Sequence, residues 1–412
     1  MIINKCSTSN IDTYFIFIYN ENGDNMKKTI KDYEYNNKTV IIRCDLNVPI
    51  ENGKITDDTR IKESLKSINY LIEKNAKIIV LSHLGKIKTE EDKKDNSLYP
   101  VYIKLKEYLN TEVYFSKETR GKELKNLVNN LKPKEVLLIE NTRYEDYPDK
   151  LESNCDEELS KYWASLGEIF INDAYGTCHR GHASNLGIAK YLPNAIGFLV
   201  EKEVTKLDEI LNENTHPYTI IMGGKKISDK TLVIDNLIEK CDYLLLGGGM
   251  CFTFIKAKNI DVGNSIVDDE NISYCKELLN KYQNKIILPI DIVTNKKEIK
   301  DIDKLDKDDM GFDIGPKTID KFTNIIKESK RIIINGPMGV FEEKDFQKGT
   351  KSIYQTIKDN NIKTLIGGGD SAASAILLGY EDAFYHISTG GGATLEYLTG
   401  KPLKALEIIE DK

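Results

Sequence analysis

The sequence predicts an α/β fold of two doubly wound parallel-sheet lobes, joined by an interdomain helix and separated by a hinge-bending cleft. Three observations support this prediction. Short β-branched and leucine-rich runs alternate with helical patterns from Lys38 onward, as a parallel sheet covered by helices requires. Five runs of the second half end in glycines, whereas runs of the first half end in polar side chains. The 412 residues suffice for two domains, each with its own core.

Four apolar runs of the first half are predicted to be buried strands. They are Thr39 to Asp45, Lys77 to Ser82, Glu135 to Asn141 and Glu168 to Ala174. Between the first two, apolar residues recur at the spacing of a helix: Ile61, Leu65, Ile68, Leu71 and Ile72. This alternation predicts a Rossmann-like lobe whose ligand lies at the carboxyl ends of the strands.

A charged amphipathic stretch from Phe198 to Leu211 interrupts the alternation and predicts the helix between the lobes. A second lobe then begins, with helical segments between most of its strands. Its strand runs are TIIMGG, DYLLLGGG, KIILPIDIV, RIIING, TLIGGG and FYHIST. The predicted divisions are residues 26–197 for the N-terminal domain, 198–213 for the interdomain helix and 214–395 for the C-terminal domain.

Residues 1–25 differ from the rest of the chain. They contain one short apolar stretch, Tyr14 to Tyr19, with a single upstream Lys5 and no small-residue cleavage pattern, so we do not expect a secretory signal. Met26 begins a segment typical of a natural start. Two interpretations therefore stay open for residues 1–25, a mispredicted start or a poorly ordered extension.

Composition narrows the possible partners and location. The formal net charge of -7 argues against nucleic acid, because a binder of the phosphate backbone needs a net basic face. The seven cysteines are scattered and form no C-x-x-C pair, which predicts reduced thiols in a cytoplasmic protein. No run approaches the roughly eighteen apolar residues of a membrane span. We therefore expect small anionic ligands, held by local cationic clusters.

Polar side chains follow the strands of the first predicted domain. Strand alternation sends Arg43, Asp45 and Asn47 to one side and Cys44 to the other, which predicts that Cys44 lies in the core. The other members of the group are His83, Arg60, which we expect just before a helix, Arg143 and Arg180. Each residue alone could equally be a solvated surface charge or make a structural hydrogen bond. Their shared position at strand ends favours a ligand-binding site. Guanidinium groups bind carboxylate or phosphate bidentately, so the group suits a small molecule that bears both.

The same segment offers a possible metal site. His179 and His182 have a spacing that suits metal ligation, but no acidic or cysteine partner accompanies them. A basic patch is therefore the favoured interpretation.

Glycine turns follow five strand runs of the second predicted domain and are expected to precede helices. They end at Gly224, Gly249, Gly339, Gly369 and Gly392. Bare main-chain amides at such turns can approach a phosphate closely. Lys225, Lys226 and Lys230 follow the first turn, although the G-x-x-x-x-G-K-[ST] spacing of a P-loop is absent. The pattern predicts a phosphate site built mainly from backbone.

Polar residues that follow two of these turns offer further candidates for the nucleotide site. Asp370 and Ser371 either cap the following helix or, for Asp370, bind the magnesium that accompanies a nucleotide's phosphates. Asn335 and Glu342 flank a rigid turn and are placed to reach sugar hydroxyls.

Nine motifs occur in the order found in phosphoglycerate kinases, and the sequence resembles that family from about Met26 to the end. The motifs are RCDLNVP, SHLGK, NDAYGTCHRGHAS, GGKKISDK, LLLGGGM, DIGPKT, NGPMGVFE, GGGDSA and STGGGATLE. The resemblance implies reversible, magnesium-dependent transfer of the acyl phosphate of 1,3-bisphosphoglycerate to ADP, giving 3-phosphoglycerate and ATP. It also implies that residues 396–412 return to the N-terminal domain. A hinge-closing enzyme with two substrate lobes needs no partner subunit, so we expect a monomer.

The resemblance further implies residue roles. The phosphoglycerate site would comprise Arg43, Asp45, Asn47, Arg60, His83, Lys86, Arg143 and Arg180. The nucleotide site would comprise Gly224, Lys225, Lys226, Lys230, Gly248, Gly249, Gly311, Asn335, Pro337, Val340, Glu342, Gly369, Asp370 and Ser371, with Asp370 as the metal ligand. Arg60, Lys226 and Gly391 would act in catalysis.

Three positions depart from the family pattern. Lys86 replaces a common arginine and loses its bidentate fork, Lys225 replaces a small residue, and Ile334 stands where tryptophan is frequent. Two other functions fit the sequence less well. A dinucleotide dehydrogenase needs a G-x-G-x-x-G turn at its first strand, which is absent. A catalytically silent nucleotide-binding homologue with a surface-adhesion role would be expected to lose Lys226, Arg60 or Asp370, and all three are present.

Overall fold

The computed structural model describes residues 27–412, which group into two units. The N-lobe comprises residues 27–206 together with 402–412, and the C-lobe comprises residues 207–401. The division falls within one helix, Phe198–Asn212, which matches the predicted amphipathic stretch. The exact domain boundaries drawn from the sequence remain predictions, and residues 1–25 lie outside the described part of the chain.

The N-lobe is built around a six-stranded parallel sheet with the order β5-β6-β4-β1-β7-β8. A two-residue hairpin, β2 with β3, precedes the first helix. The elements are β1 (Thr39–Cys44), β2 (Ile50–Glu51), β3 (Lys54–Ile55), α1 (Thr59–Glu73), β4 (Lys77–Leu81), α2 (Asp92–Asp95), α3 (Tyr99–Tyr108), β5 (Val113–Ser116), α4 (Lys122–Asn130), β6 (Val136–Ile139), α5 (Glu157–Ala164), β7 (Ile169–Asp173), β8 (Asn194–Ile196) and α6 (Phe198–Asn212).

The C-lobe contains a second six-stranded parallel sheet, with the order β11-β10-β9-β15-β16-β17. Its elements are β9 (Tyr218–Met222), α7 (Thr231–Leu237), β10 (Tyr243–Leu246), α8 (Cys251–Ala257), α9 (Ile272–Lys281), β11 (Ile286–Ile287), β12 (Asp291–Thr294), β13 (Ile299–Asp301), β14 (Gly311–Ile314), α10 (Pro316–Glu328), β15 (Arg331–Asn335), α11 (Lys348–Asp359), β16 (Lys363–Ile366), α12 (Gly369–Leu378), β17 (His386–Ile387) and α13 (Gly391–Leu398). The predicted fold class, two doubly wound parallel sheets, is thereby confirmed.

The central strands are apolar along their whole length because both faces of each sheet are covered. In β1, Val40 and Ile42 pack into one core of the N-lobe, while Ile41 packs into the core on the opposite face. Cys44 is fully buried in the first of these cores, as strand alternation predicted. This burial on both faces leaves the carboxyl ends of the strands as the place for polar side chains.

One part of the C-lobe differs from the sequence-based prediction. The run KIILPIDIV was expected to form one strand, but Pro289 separates β11, in the parallel sheet, from β12. Proline has no N–H to donate to a sheet and breaks the ladder there. The strand β12 instead pairs antiparallel with β13 and β14 in a separate three-stranded sheet.

The last residues of the chain complete the N-lobe. A short helix, α14 (Lys404–Glu407), follows Pro402, and Ala405 N donates to the carbonyl of Cys178 at 3.0 Å. Lys27 Nζ donates to the carbonyl of Ile409 at 2.7 Å, and Lys28 N donates to the carbonyl of Glu410 at 2.8 Å. The first and last described residues of the chain are therefore bonded to each other. Among the described residues, no helix is long and apolar enough to cross a membrane.

Candidate functional site

The N-lobe group lies where the strand order of its sheet reverses. The chain leaves β1 toward β4 on one side of the sheet, and it leaves the adjacent strand β7 toward β8 on the other side. The loops after these strands separate at such a point and leave a crevice, the usual ligand position in open α/β sheets. Arg43 lies at the end of β1, His83 follows β4, and the loop after β7 carries Arg180.

Arg43 is the most buried cation of the group, with no exposed side-chain surface. Its Nε donates to Ser184 Oγ at 2.8 Å, its Nη1 donates to the carbonyl of Cys44, and its Nη2 lies 3.2 Å from His83 Nδ1. An arginine can only donate, so His83 Nδ1 accepts and the proton of the neutral ring resides on Nε2. Burial, and then the Arg43 and Arg143 guanidinium groups, hold the pKa of His83 well below its ordinary value.

Arg60 is held by a carboxylate of the same group. Its Nη1 donates to both oxygens of Asp45, at 3.0 and 2.9 Å, and Asp45 is only 5% exposed. Arg60 was expected just before a helix, but it lies within the first turn of α1, because that helix already begins at Thr59. The Arg60 side chain is over a third exposed, so a ligand can reach it from solvent.

Asn47 and Asn141 shape the loop that carries His83 and Lys86. Asn47 Oδ1 accepts from Gly85 N at 2.9 Å. Asn141 is fully buried, accepts from Leu84 N at 3.1 Å and also accepts from Arg143 N at 3.0 Å. One amide thus joins the loops after β4 and β6. Asn141 was missed by the sequence analysis, although an asparagine directly after a buried strand is a usable signal.

Arg143, Lys86 and Arg180 complete the group. Arg143 is 8% exposed, and its Nε has no hydrogen-bond partner among the described residues. A buried donor without a partner is costly unless a ligand supplies the acceptor. Lys86 and Arg180 are exposed.

The histidine pair on this loop is neutral. Burial, followed by nearby arginines, lowers the pKa of His182 to about 3, and burial with Arg180 lowers that of His179 to about 4. His179 Nε2 accepts a hydrogen bond from Arg180 Nε at 3.0 Å. No cluster of three or more metal-ligating side chains occurs within residues 27–412. His179 therefore accepts a hydrogen bond from the arginine group, and His182 lies beside that group as a neutral ring.

The C-lobe group also lies where the strand order reverses, between β9 and β15. In this group the loops are joined to one another by main-chain hydrogen bonds. Gly223 N donates to the carbonyl of Asn335 and Gly224 N to that of Pro337, both at 3.1 Å. Gly248 N donates to the carbonyl of Met338 at 3.0 Å, so the turns after β9, β10 and β15 form one bonded unit.

Some glycines of these turns are required by packing between the turns. A Cβ on Gly223 would lie 1.9 Å from the carbonyl oxygen of Pro337, and one on Gly336, where φ is +103°, would lie 2.3 Å from that of Gly223. By contrast, a Cβ on Gly369 would meet nothing within 4 Å. The glycines therefore separate into those that let the turns approach each other and those that present backbone to open space.

Lys230 is held across this unit. Its Nζ donates to the carbonyl oxygen of Asn335 at 3.1 Å and to its Oδ1, and Asn335 Nδ2 donates to the carbonyl of Gly367 at 2.9 Å. Burial lowers the pKa of Lys230 to about 8, and Asp370 and Asp229 oppose that shift. Lys225 and Lys226 are both exposed after the same turn.

Two helices begin close together at the edge of this unit. A Cβ on Gly391, the first residue of α13, would lie 3.7 Å from the backbone nitrogen of Gly369, the first residue of α12. Helix N-termini carry unpaired amides and positive potential, which favours an anion. The exposed carboxylate of Asp370 lies in the first turn of α12.

The helix-capping interpretation of Asp370 and Ser371 is wrong. The residue that precedes α12 is Gly368, and no side chain caps it. Ser371 Oγ instead accepts from Gly336 N at 2.5 Å and ties α12 to the turn after β15. The expectation that every glycine turn precedes a helix also fails after Gly339, because the next α-helix begins only at Lys348.

The remaining predicted nucleotide residues lie around the same unit. Val340 N donates to the carbonyl of Phe312 at 2.9 Å, which joins its turn to β14. Gly311 packs against the Phe252 ring, and Gly248 and Gly311 line one small cavity. Glu342 is exposed. Contacts therefore join some of the predicted residues of each lobe, whereas Lys86, Lys225, Lys226 and Glu342 are exposed residues whose membership of the groups stays a prediction.

The chain matches the family model "Phosphoglycerate kinase" over residues 30–401. Among curated relatives, the phosphoglycerate kinase of Fusobacterium nucleatum is 51% identical over 398 residues, and that of Enterococcus faecalis is 50% identical over 395 residues. Each alignment covers 94% of this chain and 100% of the relative.

Solved structures agree with these matches. Phosphoglycerate kinase from Coxiella burnetii has a TM-score of 0.82 at 33% identity, covering 93% of this chain and 98% of that one. The enzyme from Pyrococcus horikoshii has a TM-score of 0.80 at 32% identity, covering 92% and 98%. The chain belongs to the phosphoglycerate kinase family.

Proposed function

We propose that the N-lobe group binds phosphoglycerate and that the C-lobe group binds the nucleotide in the reaction of this enzyme. That reaction is the reversible transfer of a phosphoryl group from 1,3-bisphosphoglycerate to ADP, which gives 3-phosphoglycerate and ATP. The observation that carries the residue assignment is the difference between the two groups. One presents guanidinium side chains at the reversal of its sheet, and the other presents backbone amides there.

The N-lobe group fits a ligand with a carboxyl and a phosphate. Arg143 supplies a guanidinium whose unpartnered Nε is one donor that a ligand oxygen would satisfy. Arg43, predicted to bind the substrate directly, has no exposed surface and instead supports His83 from behind. His83 offers its Nε2 proton, and Asp45 and Asn47 accept from ligand hydroxyls or hold neighbouring groups in place. Lys86 and Arg180 add exposed charge at the rim.

The C-lobe group fits a nucleoside polyphosphate. Lys230 and Lys226 neutralise phosphate charge, and the turns at Gly224, Gly248 and Gly249 approach the nucleotide with bare backbone. Gly311, Pro337 and Val340 line the nucleotide, and the exposed Glu342 binds its sugar. Asn335, predicted to reach the sugar, is instead 1% exposed with its amide bonded to Lys230 and to the Gly367 carbonyl, so it holds Lys230 in place. Ser371 holds the start of α12, where Gly369 presents its amide to solvent.

Magnesium fits the residues present. The ion takes one or two carboxylates and completes its shell with phosphate oxygens and water. Asp370 is an exposed carboxylate beside the open backbone of Gly369, which matches that requirement. When bound, the ion would supply charge neutralisation at the phosphates.

Catalysis by this arrangement depends on positioning and charge. Phosphoryl transfer spreads negative charge over the moving group and needs donors placed around it, with no covalent step by the protein. Arg60, oriented by Asp45, Lys226 and the Gly391 amide at the start of α13 are proposed to donate to that group.

The setting of the enzyme is proposed to be a cytoplasmic monomer without nucleic-acid or membrane partners. Two observations support this. All six described cysteines are free thiols, as expected in a reducing compartment, and the net charge is -7.

A coupled assay tests the function directly. The purified protein should phosphorylate 3-phosphoglycerate with ATP, and chelation of divalent cations should abolish that activity. A folded protein that shows no turnover with magnesium, ATP and 3-phosphoglycerate would contradict the assignment.

A further inference from the structure

Glu152 is a fully buried carboxylate outside every group described so far. It lies between β6 and α5, 32 residues before Ser184, with no exposed side-chain surface. Its carboxylate accepts from Ser184 N at 2.9 Å and from Ser184 Oγ at 2.5 Å. Its main-chain carbonyl accepts from Ala183 N at 2.9 Å. The side chain and the backbone of Glu152 thus both bond to the segment formed by Ala183 and Ser184.

Ser184 connects this carboxylate to Arg43. The hydroxyl has one proton, which it donates to Glu152, and its oxygen accepts from Arg43 Nε at 2.8 Å. The direction of both bonds is fixed, because a carboxylate only accepts and a guanidinium only donates. Removing the acceptor at Glu152 would free the hydroxyl proton and weaken the hold on Arg43.

The charges support the same connection. The Arg43 guanidinium is fully buried, and a buried cation is costly without a countercharge. Asp45 is already engaged with Arg60. Glu152 lies 3.8 Å from His182 Nδ1, but the low pKa of His182 keeps that ring neutral. Burial raises the pKa of Glu152 and Arg43 is the main opposing influence, so these two charges are coupled across the Ser184 hydroxyl.

We propose that Glu152, acting through Ser184, is a positioning residue that fixes the Arg43 guanidinium and thereby the His83 ring, whose Nδ1 accepts from Arg43 and whose Nε2 proton is offered to phosphoglycerate. This inference rests on the proposed role of the N-lobe group. A ring fixed before the ligand arrives loses less conformational freedom on binding, so the effect belongs to the affinity for phosphoglycerate. Nucleotide binding depends on other residues and should not change.

The test uses full-length variants in the coupled assay. Glu152→Gln and Ser184→Ala should each raise the KM for 3-phosphoglycerate about tenfold, as changes to groups behind a binding residue do. The KM for ATP should stay within about twofold of the original value. Because both changes break one chain of contacts, the double variant should be no worse than the more impaired single variant.

Ser160→Ala is the matched control. Ser160 is a buried serine on α5 of the same lobe, and its hydroxyl donates to the main-chain carbonyl of Asp156. Its KM for 3-phosphoglycerate should be unchanged.

Several outcomes would overturn the proposal. They are an unchanged KM for 3-phosphoglycerate, equal changes in both KM values, or additive effects in the double variant. If Glu152→Gln does not fold, Ser184→Ala decides, since it removes the hydroxyl and keeps the backbone contacts of Glu152. A failure of the proposed function looks different, because the unsubstituted enzyme would then show no turnover.

Discussion

The two lobes build their ligand groups differently, the N-lobe from side chains and the C-lobe from main chain. Both place a proposed anion site where the strand order of a parallel sheet reverses. The N-lobe fills that position with charged side chains, held by buried partners such as Asp45, Asn141 and Ser184. The C-lobe fills it with main chain, and its glycines let three turns bond to one another. From this difference we expect substitutions in the N-lobe to weaken ligand binding by removing charged donors. Substitutions in the C-lobe should weaken it by disturbing the packing of the glycine turns.

Loss of Lys226 should give the largest effect on catalysis. Lys226→Ala removes a cation proposed to follow the moving phosphoryl group, so we expect turnover to fall at least about a hundredfold, roughly 3 kcal/mol. Steady-state kinetics in the coupled assay would measure it. Lys225→Ala is the informative comparison, because both lysines are exposed after the same turn. A greater loss in Lys225→Ala would show that the catalytic position has been assigned one residue too late.

Gly336→Ala should show that the C-lobe group depends on close packing between its turns. The new methyl group would lie 2.3 Å from the carbonyl oxygen of Gly223, at a residue with φ of +103°. We expect the free energy of unfolding to fall by about 2–4 kcal/mol from strain and overpacking. The KM for ATP should rise while that for 3-phosphoglycerate stays constant.

Gly379→Ala provides the control for that variant. Gly379 has φ of +76° but nothing within 4 Å of a Cβ, so it tests backbone strain alone, roughly 1–2 kcal/mol. Chemical denaturation would compare the two. Equal losses would mean that contact between the turns contributes little.

Lys230 should make nucleotide binding depend on pH. Its pKa is about 8 in the folded protein and 10.5 ordinarily, so the unfolded chain binds the extra proton between these values. The free energy of unfolding of the ligand-free protein should therefore rise with pH across that window. Bound phosphates favour the charged amine, so nucleotide binding should take up a proton above pH 8 and weaken as pH rises.

Calorimetry in buffers of different protonation enthalpy would detect this uptake. Lys230→Arg is the control, because an arginine stays charged throughout the range and should abolish it. Uptake that persists in Lys230→Arg would assign the proton to another group.

Lys86→Arg should have the smallest effect and tests the N-lobe's dependence on charge geometry. A guanidinium restores two parallel hydrogen bonds to a carboxylate or phosphate, so we expect the KM for 3-phosphoglycerate to fall roughly twofold to fivefold. Lys88→Arg, at another exposed position of the same loop, should change nothing. An equal fall in this KM for both variants would indicate general electrostatic attraction, without a bidentate hydrogen bond at position 86.

Sequence reasoning succeeded where a local pattern determines the outcome. Strand alternation placed Arg43 on one face and Cys44 in the core, and helical spacing predicted α1 and α6. It failed where a contact between distant segments decides. The requirement for glycine at position 223 comes from the Pro337 carbonyl, more than a hundred residues away. Likewise, nothing local marks Glu152 as buried, because its partners follow only after α5 and β7.

The bonds between the ends of the described chain have a consequence for biosynthesis. The N-lobe is assembled from residues near the start of the chain together with 402–412, and Ala405 bonds directly to the segment that follows β7. A ribosome releases that last segment only after the whole C-lobe has been made. The N-lobe is therefore the first lobe to be translated and the last to receive all of its parts.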